Sequence, residues 1–184
     1  MKSLLENLRA KFFGTAPTLH VDIRAARPDD AQFIFELSMQ QVLKGHLNTD
    51  YLLPAAQKGF AAQVGAAIGD APVPMPGERN GAGARVAVMT IAEEPVGFAW
   101  FLEERPGSWD ADVELHLVAL EEQFHGRGLG RLLVEKTLAS VNSKRIYARC
   151  KPASSRMLAL LKARGFAEKG PRTPSGTVTV EQRR

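Results

Sequence analysis

The run EEQFHGRGLGRLL (residues 121–133) places glycine at positions 126, 128 and 130 and follows with a basic, leucine-rich stretch. Glycine is among the poorest helix formers, yet Leu129, Leu132 and Leu133 repeat at the spacing of one helix face. The first turn of a helix leaves backbone N–H groups without partners and carries the positive end of the helix dipole, so it suits an anion. Residues without Cβ let that backbone come close to a bulky phosphate and allow positive φ. Gly126, Gly128 and Gly130, with Arg127 and Arg131 beside them, therefore read as a pyrophosphate cradle. Two familiar cradles do not fit. A P-loop requires Lys and then Ser or Thr after its last glycine, where Arg131 and Leu132 stand. A dinucleotide fingerprint requires a third glycine where Arg131 or Leu133 stands.

Upstream of the run lie three strand candidates, at 85–93, 95–104 and 112–120, separated by short turns that suit antiparallel hairpins. Before them, HVDIRAAR (20–27) alternates as a first strand, and PDD (28–30) opens a helix with proline early and acids at its positive end. A second helix is expected from about Leu52 to Ile68, where Phe60, Val64 and Ile68 step by four. The prolines and glycines of residues 70–84 predict a loop. Downstream, the helix runs to about Ser140, KRIYARC (144–150) is a strand, SSRMLALLKARGF (154–166) a helix closed by Gly165, and GTVTVEQ (176–182) a last strand. The order β-α-α-β-β-β-α-β-α-β defines an α/β domain with a mixed central sheet flanked by helices and without internal repeats.

The chain has 184 residues, 45% of them hydrophobic and 24% charged, which suits one domain with a sizeable core. The formal net charge is +4, and no cluster of Lys and Arg marks a nucleic-acid face. Cys150 is the only cysteine, so no intramolecular disulfide forms, and the scattered His20, His46, His116 and His125 suggest no metal site. Ser3 and Glu6 fit a capping box ahead of Leu4, Leu5, Leu8 and Phe12, and Gly14 with Pro17 supplies the stop. Residues 1–19 are thus expected to form a short amphipathic helical extension that packs on the domain of residues 20–184 or on a second subunit; the second case gives a homodimer. The N-terminus has no signal-peptide pattern and no stretch reaches the ~20 apolar residues of a membrane span, so a cytoplasmic location is expected.

The segment Gln123-Phe124-His125-Gly126-Arg127-Gly128 resembles the Gln/Arg-x-x-Gly-x-Gly/Ala signature of the GNAT family of N-acetyltransferases. ELHLVAL (114–120) looks like that family's fourth strand, residues 147–166 like its fifth strand and following helix, and residues 23–34 like its first strand and helix. The resemblance covers about residues 20–182 and implies a cosubstrate, acetyl-CoA, in a V-shaped opening between strands four and five. It further implies that the backbone of Val118, Ala119 and Leu120 pairs with pantetheine. The turn of His125, Gly126, Arg127, Gly128, Leu129, Gly130 and Arg131 would hold pyrophosphate, with Gln123 opening the motif. Ser154 stands where the family often has asparagine and is carried over as a cofactor contact.

The implied reaction is direct acetyl transfer to a primary amine, which is mostly protonated at neutral pH and needs a base. Glu114 and His116, two apart on a strand and just before the acetyl-binding segment, are the candidates, with Glu114 as base and His116 assisting. A pair of polar side chains on an exposed sheet face is the bland alternative. Leu161 occupies the usual place of the tyrosine acid, which leaves Ser155 and Cys150 as substitutes, although Cys150 also reads as a buried core residue. The resemblance brings the acceptor in between the loops 44–51 and 168–176, and acids at 103, 104, 110, 112 and 114 would attract an ammonium group. Small molecule, peptide N-terminus and protein lysine all remain open as acceptors. A catalytically silent acyl-CoA-binding sensor and an oligomer scaffold are the alternatives from other classes.

Overall fold

A computed structural model describes residues 20–75, 81–104 and 111–184. The helix expected before Gly14 lies outside the described residues. Strand β1 (Val21–Ala25) leads into a 3-10 turn, Pro28–Asp30. Buried Asp30 accepts a forked pair from Arg24 at 2.6 and 2.9 Å and the Arg27 N–H at 2.6 Å. The Arg24 hydrogen bonds hold the Asp30 carboxyl below the usual range despite burial, and this lock sets the angle at which α1 (Ala31–Leu43) leaves the strand.

The second helix, α2, spans Pro54–Ile68, two residues later than its apolar period suggests. Pro54 forces Leu53 into an extended conformation (φ −74, ψ 135), so the chain before it closes a separate 3-10 turn, Thr49–Leu52. The expected loop also ends early. Val73 and Ala82, 1% and 3% exposed, pair across it as an antiparallel bridge, and β2 begins at Gly83. Strands β2 (Gly83–Ile91) and β3 (Glu94–Glu103) are joined by Ala92 and Glu93, both at positive φ, the conformation of a tight hairpin turn.

After β4 (Val113–Leu120) come α3 (Leu129–Ser140), β5 (Arg145–Cys150), α4 (Ser155–Lys162), β6 (Ala167–Glu168) and β7 (Val178–Arg183). The two-residue β6 was not foreseen, because it is too short to show alternation and both of its residues are exposed. The seven strands form one sheet in the order β1-β2-β3-β4-β5-β7-β6, and β4–β5 is its one parallel pair. Helices cover both faces. Leu133, Val134 and Leu138 of α3 and Leu161 of α4 pack with Leu115, Ile146 and Val180 on one side, whereas Ile34 and Leu37 of α1 and Phe60 and Val64 of α2 pack with Val88, Phe98 and Trp100 on the other.

The two cores expose an irregularity in β4. Val113 and Leu115 belong to the α3 side, but so do Leu120 and partly buried Val118, while Leu117 and Ala119 belong to the α1 side. Strict alternation would keep 113, 115, 117 and 119 together. The register explains the switch: Trp100 pairs with Leu117 and Phe101 with Leu115, so His116 is an extra residue, a β-bulge. A bulge bends its strand and re-aims the side chain at that point. Among the described residues no helix is long and apolar enough to cross a membrane.

Candidate active site

The pairing of β4 with β5 is limited to Val113 with Ile146 and Glu114 with Tyr147. It stops two residues before the bulged His116, and from there the strands part. Among the described residues the β5-facing edge of residues 115–120 has no strand partner, and unpaired backbone polar groups require a partner from elsewhere. A cavity of about 620 Å³ fills the opening, within the usual range for small-molecule sites. Val118, Ala119 and Leu120 line it. The β4 edge is closed at its far end by His125, whose Nε2–H donates to the Leu120 carbonyl at 2.8 Å.

That bond also ties β4 to the glycine turn. Gly126 and Gly128 adopt φ of +74 and +76, and Gly128 caps α3, whose first turn lines the cavity with Gly130 and Arg131 and carries amides without helical partners. Gly130 is different. Its φ is not positive, and a Cβ added there would meet nothing within 4 Å, so the fold itself gives no reason for glycine. The empty space is what a closely approaching phosphate needs. Gln123 donates to Glu121 at 3.0 Å, and the Arg127 guanidinium lies 5.8 Å from the Phe124 ring centre; these two residues and Leu129 do not line the cavity.

Of the two residues put forward as base, His116 lines the cavity and Glu114 lies behind it. Glu114, 4% exposed, receives two hydrogen bonds from Arg149, at 2.9 and 2.7 Å, and a long contact of 3.5 Å from His116 Nδ1. Burial alone would push the Glu114 carboxyl up, but the bonds and charges of His116 and Arg149 outweigh it and hold it at about 2. A carboxylate so stabilised is a weak proton acceptor. Because it accepts from Nδ1–H, it fixes the tautomer that leaves His116 Nε2 with a free lone pair. The His116 ring is set edge-on against Trp100, with ring centres 5.5 Å apart.

The depressed Glu114 value has a consequence for acid stability. A carboxyl whose folded value lies below its unfolded one stabilises the fold above the unfolded value and loses that contribution as pH falls through the folded one. Glu114 should therefore contribute on the order of 2 kcal/mol at neutral pH, allowing for the half-exposed Arg149, and lose it between about pH 4.5 and pH 2. Urea melts of Glu114→Gln should lack this part of the acid dependence. An acid limb identical to the parent's would contradict the arrangement.

On the opposite wall, Ser154 Oγ and His46 Nδ1 share a hydrogen bond of 2.9 Å. The His46 imidazole is held below its usual value by burial and by the charges of Lys44 and His125. Cys150 and Leu161 line the cavity as well; burial raises the Cys150 thiol and Leu161 is fully buried. Of loop 44–51, expected at the acceptor entrance, Lys44, His46 and Leu47 line the cavity, while Asp50 bonds to Asn48 and Tyr51 stacks edge-on against Phe60. Among the described acids expected to greet an ammonium, Glu103, Asp112 and Glu114 are paired with Arg85, Arg145 and Arg149, and Glu104 accepts from the Tyr147 hydroxyl.

Sequence reasoning missed Arg149 as a partner of Glu114, and Lys44, Glu122 and Arg156 as cavity residues. The signal for Arg149 was a cation in a strand whose parallel neighbour carries a buried acid; the others have none. Lys44, Arg131, Arg149 and Arg156 against Glu122 give the lining an excess of positive charge, which suits a polyanion. Among the described residues no group of three or more His, Cys, Asp or Glu side chains is placed to hold a metal ion.

A parted parallel strand pair beside a glycine-turned helix start, in a mixed sheet covered on both faces, defines the class of α/β fold. Residues 60–166 match the acetyltransferase (GNAT) family, and the chain belongs to that family. No curated protein matches it. Solved structures share the fold at low identity. PaiA N-acetyltransferase from Thermoplasma acidophilum, in complex with coenzyme A, is 12% identical, with a TM-score of 0.63 over 90% of this chain and 100% of that one. A phosphinothricin acetyltransferase from Sinorhizobium meliloti, in complex with acetyl-CoA, is 18% identical, with a TM-score of 0.65 over 89% and 88%. Ribosomal-protein-alanine N-acetyltransferase from Brucella melitensis is 16% identical, with a TM-score of 0.64 over 89% and 99%.

Proposed function

We propose that the protein is an N-acetyltransferase that moves an acetyl group from acetyl-CoA directly to a primary amine. The observation that carries this reading is the unpartnered edge of residues 115–120 leading to the glycine-turned start of α3. Backbone groups of Val118, Ala119 and Leu120 pair with the pantetheine arm as a further strand would. His125, Gly126, Gly128, Gly130 and Arg131 receive the pyrophosphate, and Ser154 faces the arm from the other wall. Acetyl-CoA supplies an acyl group activated as a thioester.

His116, a residue of the cavity wall, takes through Nε2 the proton from the acceptor ammonium, directly or through water, and Glu114 holds the ring in the tautomer that permits it. This divides the two roles differently from the sequence reading, because Glu114 is committed to Arg149. A backbone N–H of β4 stabilises the negative charge that develops on the carbonyl oxygen. Leu161 offers no proton to the departing sulfur; the thiolate, of a thiol with an ordinary pKa of ~8.5, leaves as the C–S bond breaks and takes up, directly or through water, the second proton that the nitrogen sheds as the amide forms.

Leu161 also favours a second reading, a protein that binds acyl-CoA without turnover. One experiment separates them: calorimetric titration with acetyl-CoA, followed by free-thiol release with a panel of small amines, peptides with free N-termini and lysine peptides. The panel is broad because the names of the structural neighbours include both small-molecule and ribosomal-protein acceptors. Micromolar binding with amine-dependent thiol release is expected. Binding with no release across the panel would favour the silent reading, and no binding would remove both.

A further inference from the structure

The tripeptide Lys44-Gly45-His46, at the C-terminal end of α1, touches both walls of the opening. Lys44 Nζ donates to Glu122 Oε2 at 2.9 Å, in the turn that follows β4. His46 bonds to Ser154, in the turn that follows β5. Between them Gly45 takes φ +77, and a Cβ there would already be 3.7 Å from the Ala153 side chain. The strap is therefore pinned at both ends and lies along the wall of the cavity that the glycine turn also lines.

Its Glu122 end is chemically out of place. Glu122 is the one acid on the described cavity wall, it sits three residues from His125 and four from Gly126, and its carboxylate occupies a cation that faces an anion cradle. The pair is exposed, 39% at Lys44 and 79% at Glu122, so water and salt already compete for it and little opposes its opening. A pyrophosphate presents two adjacent negative charges to an ammonium where Glu122 presents one, and the helix start that receives it holds it in place.

We propose that Lys44 is a further cofactor-binding residue, held by Glu122 until a phosphate of the incoming nucleotide displaces that carboxylate. The inference rests on the acetyl-CoA reading of the cavity and adds to it a cation from α1, with Glu122 as an internal competitor. A structural bridge and an exchangeable one give opposite patterns. If the bridge only holds the strap in place, breaking it from either side weakens the site. If Lys44 changes partner, removing Lys44 weakens binding and neutralising Glu122 strengthens it.

Calorimetric titration with CoA of the wild type, Lys44→Met and Glu122→Gln distinguishes these. Lys44→Met is expected to bind about tenfold more weakly, the size of one charge-assisted hydrogen bond, and its deficit should shrink as salt is raised. Glu122→Gln is expected to bind about threefold more tightly, as loss of a weak exposed competitor permits. Weaker binding in both variants, or unchanged binding in either, overturns the exchange. A wild type that does not bind CoA at all removes the acetyl-CoA reading itself, an outcome separate from either pattern in the variants.

Discussion

Gly130→Glu is expected to lose at least about a hundredfold in affinity for acetyl-CoA while melting no lower than the wild type. The two effects have opposite signs because they arise from different surroundings. Within the protein, position 130 is ordinary helix: φ is not positive and an added Cβ has open space, so replacing glycine there gains roughly 0.5–1 kcal/mol of helix stability. A carboxylate in the first turn adds about 0.3–1 kcal/mol from the dipole. Toward the ligand, the same side chain fills the space of the phosphate and brings like charge into it; losing about 3 kcal/mol there corresponds to the hundredfold figure. Gly126 and Gly128 would give a less clear answer, since at φ of +74 and +76 any side chain is strained. Calorimetry and a thermal melt on one preparation suffice. Near-normal binding in a well-folded Gly130→Glu protein would reduce the glycine run to a turn.

The second large effect is expected at His116. His116→Ala should lower turnover by about 10²–10⁴, the usual contribution of a positioned base, with the acetyl-CoA dissociation constant within about twofold of the parent. The deficit should narrow as pH approaches the ~10 of a primary amine, because the acceptor then arrives already deprotonated. Glu114→Gln should cost less. An amide oxygen can still accept from His116 Nδ1–H and preserve the tautomer, although the ion pair with Arg149 is lost. Turnover of the two variants across pH, with a screened amine, measures both. Equal turnover of His116→Ala and wild type at neutral pH would place the base elsewhere, and a deficit in Glu114→Gln exceeding that of His116→Ala would return the leading role to the carboxylate.

Much of the fold is visible in local patterns. The period-four apolar steps of α2 and the leucines of α3 pack the face their spacing points to into the cores, and the glycine run marks the start of α3 within a residue. What stays hidden is set by partners rather than by the segment itself. The β4 sequence VELHLVAL is apolar at 113, 115, 117 and 119 and also at 118 and 120, so its last four residues read equally well in either parity. The extra residue at His116 appears only when β3 supplies a register. The pairing of Glu114 with Arg149 belongs to the same class, since 35 positions separate them in sequence. Lys44 reaches the cavity only because α1 ends beside the turn after β4. The shift of α2 by two residues is a local matter that was legible: Pro54 disfavours helix in the residue before it.

The parting of β4 and β5 also makes a mechanical seam. Two residue pairs join the backbone of the half formed by β1 to β4 with that of the half formed by β5, β7 and β6; beyond them the continuity is carried by side chains, through the ion pairs of Asp112 with Arg145 and Glu114 with Arg149 and the packing under α3 and α4. A ligand lying in the gap would act as a keystone, bonding to one half through the β4 edge and bearing on the other through the Ser154 wall. The binding free energy would then be felt as resistance of the whole sheet to opening, so that the occupied protein unfolds as one unit where the empty one can yield first along the seam.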